Sequence, residues 1–151
     1  MPSRIIGISV VKNEDIYIEQ SLSNVIDFCD EIKVVNHNST DKTISIVEDM
    51  MKKHPHISLH HLKDIKKSHK FVEPYANTDT WIFGVDGDEL YDPYGMIRLK
   101  EEIINGKYKD AWRVRGMFFH VVNINGEIAD GYMSPPSKDP NKLWNLRMLK
   151  S

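Results

Sequence analysis

The sequence predicts an α/β domain: an open mixed sheet, parallel and Rossmann-like through its first half, flanked by helices. Three observations carry this expectation. β-branched runs alternate with helical periodicity in the order β-α-β-α-β, which builds a parallel sheet through crossover connections. A fourth run, "TWIFGV" (80–85), is continuously apolar, as a strand buried on both faces must be. After residue 105 the pattern shifts to short strands around an Asn125-Gly126 hairpin signal.

Each element has a local reason. "RIIGISVV" (4–11) is a β-branched run bounded by polar residues, hence a buried strand. Ile18, Leu22, Val25, Ile26 and Cys29 fall on one face of a helix. "EIKVVN" (31–36) is a second strand; "HNST" (37–40) is a turn in which Ser39 or Thr40 caps the next helix, with Asp41 in its first turn. Ile44, Val47, Met50 and Met51 form that helix's apolar face. "HISLHHL" (56–62) is a third strand, and "KKSHKFVEPYAN" (66–77) a short helix or loop limited by Pro74. Asp92-Pro93 is a cap followed by a favoured first helical residue, and Met96, Leu99 and Ile103 continue that helix to about 105. Residues 110–133 read as strands, 134–142 as a Pro-rich loop and "LWNLRMLK" (143–150) as a last strand or short segment.

A chain of 151 residues fits one domain, 1–151, able to bury a core without disulfides. A net charge of −2 predicts no nucleic-acid partner, and the lone Cys29 excludes an intramolecular disulfide or a cysteine zinc cage. The opening apolar run is short and interrupted by Gly7 and Ser9, which is not a secretory leader, and no run reaches the length of a membrane span. A cytoplasmic location without a transmembrane segment is expected.

In an open α/β sheet, ligands bind beyond the carboxyl ends of the strands. Three polar stretches fall there: "KNED" (12–15), "NHNSTD" (36–41) and "DGDE" (86–89). The last crowds Asp86, Asp88 and Glu89 into four positions, where like charges repel unless solvent or a cation intervenes. Gly87 lets the backbone turn so that Asp86 and Asp88 approach one cation, and such sparse oxygen ligation suits Mg²⁺ or Mn²⁺ completed by substrate phosphates. Other readings fail. An EF-hand needs an oxygen ligand and then glycine where Leu90 and Tyr91 stand. A phosphatase D-x-D sits on the first strand and continues with Thr or Val rather than Glu89. Neither a P-loop nor a Rossmann fingerprint occurs. His54, His56, His60 and His61 lack zinc spacing; His37 in the rim turn and His120, as an added metal ligand, are secondary candidates. Cys29 and Trp81 are assigned to packing; Trp112 and Trp144 could also serve as an acceptor platform.

The block "ISVVKNEDIYIEQSLSNVIDFCDEIKVVNHNSTDKTISIVEDM" followed by "TDTWIFGVDGDEL" resembles family 2 glycosyltransferases of the GT-A fold, nearest to lipopolysaccharide-type glucosyltransferases. The resemblance covers roughly 4–100 and implies metal-dependent, inverting sugar transfer from a nucleotide-diphosphate donor to an acceptor hydroxyl. Val11, Asn13 and Glu14 would line the nucleoside pocket, with Asn36 where the family has an aspartate that contacts the base. Asp86 and Gly87 would face the donor, Asp86 and Asp88 would hold Mn²⁺ or Mg²⁺, and Lys70 would hold the diphosphate. Glu89 stands behind these ligands. A UDP-sugar donor, a glycan or lipid-linked acceptor and peripheral membrane association are its further implications. Residues 1–105 would be the donor half and 106–151 a short acceptor half, either truncated or the close of the first domain of a longer protein, whose "KLWNLRMLKS" resembles the family's R-L-F-R element. The general base falls among Glu127, Asp130 and Asp139, with Asp130 preferred for its place after the hairpin turn. A non-catalytic nucleotide-sugar-binding module, and a nucleotidyltransferase or phosphotransferase using the same carboxylates, are the competing readings.

Overall fold

The computed structural model describes residues 3–117, 119–125, 128–133 and 141–148. Strand β1 (Arg4–Val11) leads through α1 (Ile18–Val25) to β2 (Glu31–Asn36), then through α2 (Thr43–Lys53) to β3 (Ile57–His61). Two 3-10 segments, Ile65–Phe71 and Glu73–Tyr75, return the chain to β4 (Thr80–Gly84), which feeds α3 (Pro93–Ile104). Next come β5 (Arg113–Arg115), the pair β6 (Phe119–Asn125) and β7 (Ile128–Met133), and β8 (Asn141–Asn145). The expected strand–helix order is present, with the 66–77 stretch folded as 3-10 turns split before Pro74.

The six-stranded sheet has the order β3-β2-β1-β4-β8-β5, and β6-β7 form a separate antiparallel hairpin. Strands β3, β2, β1 and β4 are mutually parallel; β8 runs antiparallel to both β4 and β5. β4 is central, as its apolar continuity requires. From β1 the chain moves one way across the sheet to β3, then returns to the other side of β1. The boundary between β1 and β4 is therefore a topological switch point, where loops on either side diverge and leave a crevice.

Both faces are covered. On one, Ile18, Leu22 and Val25 of α1, Val47 and Met50 of α2, and Met96 and Ile103 of α3 pack on Ile5, Val34, Trp81 and Phe83. On the other, Ile6, Ile82 and Leu146 are joined by Val72 and Tyr75 from the 3-10 return. Trp81, at 2 % exposure, is core as expected. Trp144 is half-buried against Gly84, where an added Cβ would meet its ring at 3.4 Å. Trp112 is 49 % exposed, with the Arg113 guanidinium 4.3 Å over its ring.

Asp92 caps α3 as its sequence predicts, its carboxylate accepting from Tyr94 and Gly95 N–H at 3.2 and 3.0 Å. At α2 the expected cap is corrected. Asp41, rather than Ser39 or Thr40, accepts from the Thr43 N–H at 3.0 Å, while Ser39 and Thr40 reach across to the β1 loop.

Cys29 lies just past α1 at 4 % exposure, and a Cβ on Gly7 would stand 3.0 Å from its sulfur. Burial pushes its thiol up to about 12, and the thiolate is the reactive form. The native protein should therefore resist a thiol reagent such as dithionitrobenzoate at pH 8 and release one equivalent in guanidinium. Because the folded value is raised above the ordinary 9.0, stability should fall as pH climbs from about 9 towards 12. Rapid native labelling would contradict this packing.

Candidate functional site

Register decides which residues meet. Val11 pairs with Asn36 and Asn36 with His61, so β1, β2 and β3 end level. β4 leaves the ladder at Gly84, opposite Ile8, and the Val85 N–H still donates to the Ile8 carbonyl at 3.0 Å. "DGDE" thus begins at the height where β1 turns into "KNED". The three polar stretches converge on one rim.

The β1 and β2 loops are clasped to each other. The Asn13 N–H donates to Ser39 Oγ at 3.0 Å, and Asn13 Oδ1 accepts from the Thr40 N–H at 2.8 Å. The Glu14 N–H donates to Thr43 Oγ1 at 2.8 Å, and the Asp15 N–H donates to Asp41 Oδ2 at 3.1 Å. Asn13 and Asn38 both take left-handed backbone (φ 57° and 56°), which asparagine tolerates better than most residues. This clasp ties the β1 loop to the start of α2 and sets the backbone from which Glu14 projects.

Glu14 in turn lies over the D-x-D loop. A Cβ on Gly87 would be 3.0 Å from Glu14 Cγ, so the glycine permits this contact as well as the turn. Ser21 of α1, 1 % exposed, donates to the carbonyls of Gly87 and Glu89 at 2.8 and 3.0 Å. Asn24 exchanges two hydrogen bonds with the Tyr91 backbone, at 3.0 and 2.7 Å. Helix α1 therefore fixes the acidic loop from below.

Four carboxylates are gathered at this rim. Burial, then the charges of Asp88, Asp41 and Asp86, hold the Glu14 carboxyl above its usual range. At Asp41 lost solvation also pushes upward, but the Thr43 hydroxyl and the N–H groups of Thr43 and Asp15 outweigh it and hold the carboxyl below its usual range. Asp86 and Asp88 are exposed. Among the described residues no group of three or more His, Cys, Asp or Glu could hold a metal unaided. Two exposed carboxylates in a strongly acidic surround fit a hard cation that takes its remaining ligands from a diphosphate and water.

Sequence reasoning missed Lys142. Its side chain is 8 % exposed, and its Nζ donates to Asp86 Oδ2 at 2.7 Å and Glu89 Oε2 at 2.5 Å. Tyr91 OH donates to the same Glu89 oxygen at 2.6 Å. Burial still holds Glu89 above the usual carboxyl range against these two partners, and burial with the Glu89 carboxylate pushes the Tyr91 phenol up. Glu89 thus faces inward, while Asp88 faces solvent. No local pattern marks Lys142; the available signal was the "KLWNLR" element to which it belongs.

Other expected site residues are placed differently. Val11, expected to line the nucleoside pocket, is 1 % exposed with its side chain in the core; its carbonyl accepts from the His37 N–H at 2.8 Å. Asn36 is 4 % exposed, its Oδ1 accepting from the Ser39 N–H at 3.0 Å and its Nδ2 meeting His61 Nδ1 at 3.1 Å. Its side chain, expected to contact a base, is turned to these internal partners. His37 Nδ1 bonds the Leu62 carbonyl at 3.0 Å. Lys70 holds its ammonium 5.1 Å over Phe71, which packs on His60 of β3. Lys70, expected at the diphosphate, is thus placed by its contacts beside β3. Asp130 lies exposed on β7, and His120 stacks on Tyr132, both in the hairpin outside the six-stranded sheet. Glu127, Asp139 and Gly126 of the hairpin turn lie outside the described residues.

Thr43 is the joint of the clasp, fully buried, accepting from Glu14 N–H and donating to Asp41 Oδ1 at 2.6 Å. Thr43→Val keeps the shape but leaves the Glu14 N–H without its acceptor. A loss of roughly 1–3 kcal/mol is expected, read as a lower urea midpoint at unchanged m-value. An unshifted midpoint would show that the clasp adds nothing to stability.

Comparison with known proteins accords with this geometry. Among solved structures the fold is similar to the mannosyltransferase PcManGT from Pyrobaculum calidifontis, solved in complex with GDP-Man and Mn²⁺ (TM-score 0.51, 23 % identity, covering 68 % of this chain and 33 % of that one). It is also similar to 4-diphosphocytidyl-2C-methyl-D-erythritol synthase from Anaerococcus prevotii DSM 20548 (TM-score 0.52, 13 % identity, covering 97 % and 71 %). Identities this low show a shared fold alone, and this chain spans about a third of the length of the mannosyltransferase. No curated protein matches the sequence. No helix among the described residues is long and apolar enough to cross a membrane. The sequence profile described as glycosyl transferase family 2, however, matches residues 8–127, which spans the clasp, the acidic loop and α3. With the GT-A-like sheet expected from the sequence in place, the chain belongs to glycosyl transferase family 2.

Proposed function

We propose that the chain binds a nucleotide-diphosphate sugar at the β1–β4 switch point and transfers the sugar, with inversion, to an acceptor hydroxyl. The observation that carries this reading is the convergence of Asp86 and Asp88 with Glu14 and Asp41 on one rim. A rim so acidic repels a diphosphate by itself, so donor binding calls for a cation between them. Asp88, exposed, and the solvent-facing part of Asp86 are its ligands in this reading. Mn²⁺ or Mg²⁺, when bound, supplies charge neutralisation for the leaving diphosphate. The clasp of Asn13 with Ser39 and Thr40 fixes the loop beside the nucleoside, with Glu14 and Gly87 closing the wall next to it.

Asp130, the carboxylate among the described hairpin residues, is assigned the acceptor's proton. A UDP-sugar donor and a glycan or lipid-linked acceptor complete the proposal. The exposed Phe119, Val121, Tyr132 and Met133 of the hairpin support an acceptor with an apolar part. The fold is shared with a synthase whose name carries a diphosphocytidyl group, so fold alone does not choose between sugar transfer and nucleotidyl transfer.

A thermal-shift panel of UDP, GDP, CDP and ADP with and without Mn²⁺ tests the site. At a hundredfold excess over Kd, binding stabilises by about 2.7 kcal/mol, a rise of roughly 5–10 °C for a domain of this size. Asp88→Asn should abolish the Mn²⁺-dependent part of the shift and lower transfer at least about a hundredfold. Asp130→Asn should lower turnover by roughly 10²–10⁴ with the shift intact. No Mn²⁺-dependent shift with any nucleotide would overturn the proposal. Pyrophosphate release from a triphosphate would move the chain to nucleotidyl transfer, and binding without turnover would leave a nucleotide-sugar-binding module.

A further inference from the structure

Asp86 is divided between two environments. Its side chain is 62 % exposed, yet Oδ2 is held by an ammonium that is only 8 % exposed. That ammonium belongs to β8, which pairs antiparallel with β4 on the side of the sheet away from the clasp. Its second partner, Glu89, is 15 % exposed and is itself held by Tyr91. The chain Tyr91–Glu89–Lys142–Asp86 therefore runs from the interior to the rim, with every member fixed at both ends except the exposed half of Asp86. The Lys142 stem passes beneath Gly116, where a Cβ would meet its Cγ at 3.3 Å, so its path to the site is also confined.

We propose that Lys142 is a positioning residue for the donor-site cation: clamped by Glu89, it turns Asp86 Oδ2 inward and presents the remainder of that carboxylate, beside Asp88, to the ligand. This rests on the cation-binding reading of the acidic loop. A metal ligand held through one oxygen by a buried partner has fewer orientations to lose on binding, the general role of groups behind a coordination shell. Lys142 also offsets the charge of Glu89, so the unbalanced negative charge is concentrated at Asp86 and Asp88, where a ligand can reach it. The acceptor-side strand thereby shapes the donor site.

Charge and orientation must be separated in the test, because removing a lysine alone would favour any cation by Coulomb's law. The double substitution Lys142→Met with Glu89→Gln removes one charge of each sign from the same contact and leaves the net charge at the rim unchanged. The amide oxygen introduced by Glu89→Gln still accepts from Tyr91, which limits the cost to folding. Mn²⁺ affinity is read from the electron paramagnetic resonance of the free ion, with Mn²⁺ alone and with Mn²⁺ plus UDP, and melting temperature is followed in parallel. The expected result is Mn²⁺ binding weakened about tenfold or more in a folded protein. Lys142→Arg, which keeps the charge but replaces a point ammonium by a planar fork, should weaken it in the same direction and serves if the double variant does not fold. Mn²⁺ affinity unchanged or tighter in the folded variants, with only the melting temperature lowered, would overturn the positioning role while leaving the cation site intact. Absence of Mn²⁺ binding in the unsubstituted protein would overturn both readings.

Discussion

Repulsion among Glu14, Asp41, Asp86 and Asp88 is the constraint to which the rest of the rim answers. Parallel strands in register must end together, so polar loops from β1, β2 and β4 are brought side by side whatever their charges. The protein holds the arrangement by satisfying each loop from beneath. Thr43 and the Asp15 N–H stabilise Asp41, Ser21 and Asn24 tie down the backbone of the D-x-D loop, and Lys142 neutralises its inward side. Asp88 remains at the solvent face, where a cation can reach it.

The strands are legible because each is a β-branched or continuous apolar run whose ends coincide with polar residues: Arg4–Val11 and Glu31–Asn36 match their sequence expectation residue for residue. Asp92-Pro93 is legible because capping is a local matter between neighbours. Ser39 and Thr40 escape a local reading for the complementary reason. Their partner is Asn13, and a hydrogen bond across two loops competes with capping in a way no local pattern records. Lys142 is the extreme case. It lies 56 positions from Asp86 in sequence, and only the antiparallel insertion of β8 beside β4 brings the two together. Lys70 is basic and near the acidic loop in sequence, and its described contacts are with Phe71, which packs on His60 of β3.

The division of labour between fold and loops follows from the same geometry. A similar fold is found in a mannosyltransferase and in a synthase of a different name, at identities of 23 % and 13 %. What a chain does on such a sheet depends on a few side chains at the strand ends. Here those side chains are held by three separate elements, α1, the start of α2 and β8, so the rim is supported from the parallel half of the sheet and from the antiparallel strand beyond it. The hairpin β6-β7 stands apart from the six-stranded sheet, and its exposed Phe119, Val121 and Met133 give it a surface unlike the polar rim.

Asn36 shows how the hydrogen-bonding character of one strand end is passed to the next. The Ser39 backbone N–H can only donate, so the atom it meets on Asn36 must be the carbonyl oxygen, which directs the Nδ2 group to His61. Nδ2 can only donate in turn, so His61 Nδ1 must accept, and the proton of the neutral ring resides on Nε2. An aspartate at position 36 could accept from Ser39 equally well but could offer nothing to an unprotonated Nδ1; His61 would have to adopt the opposite tautomer. The identity of residue 36 is therefore coupled to His61, across the β2–β3 register.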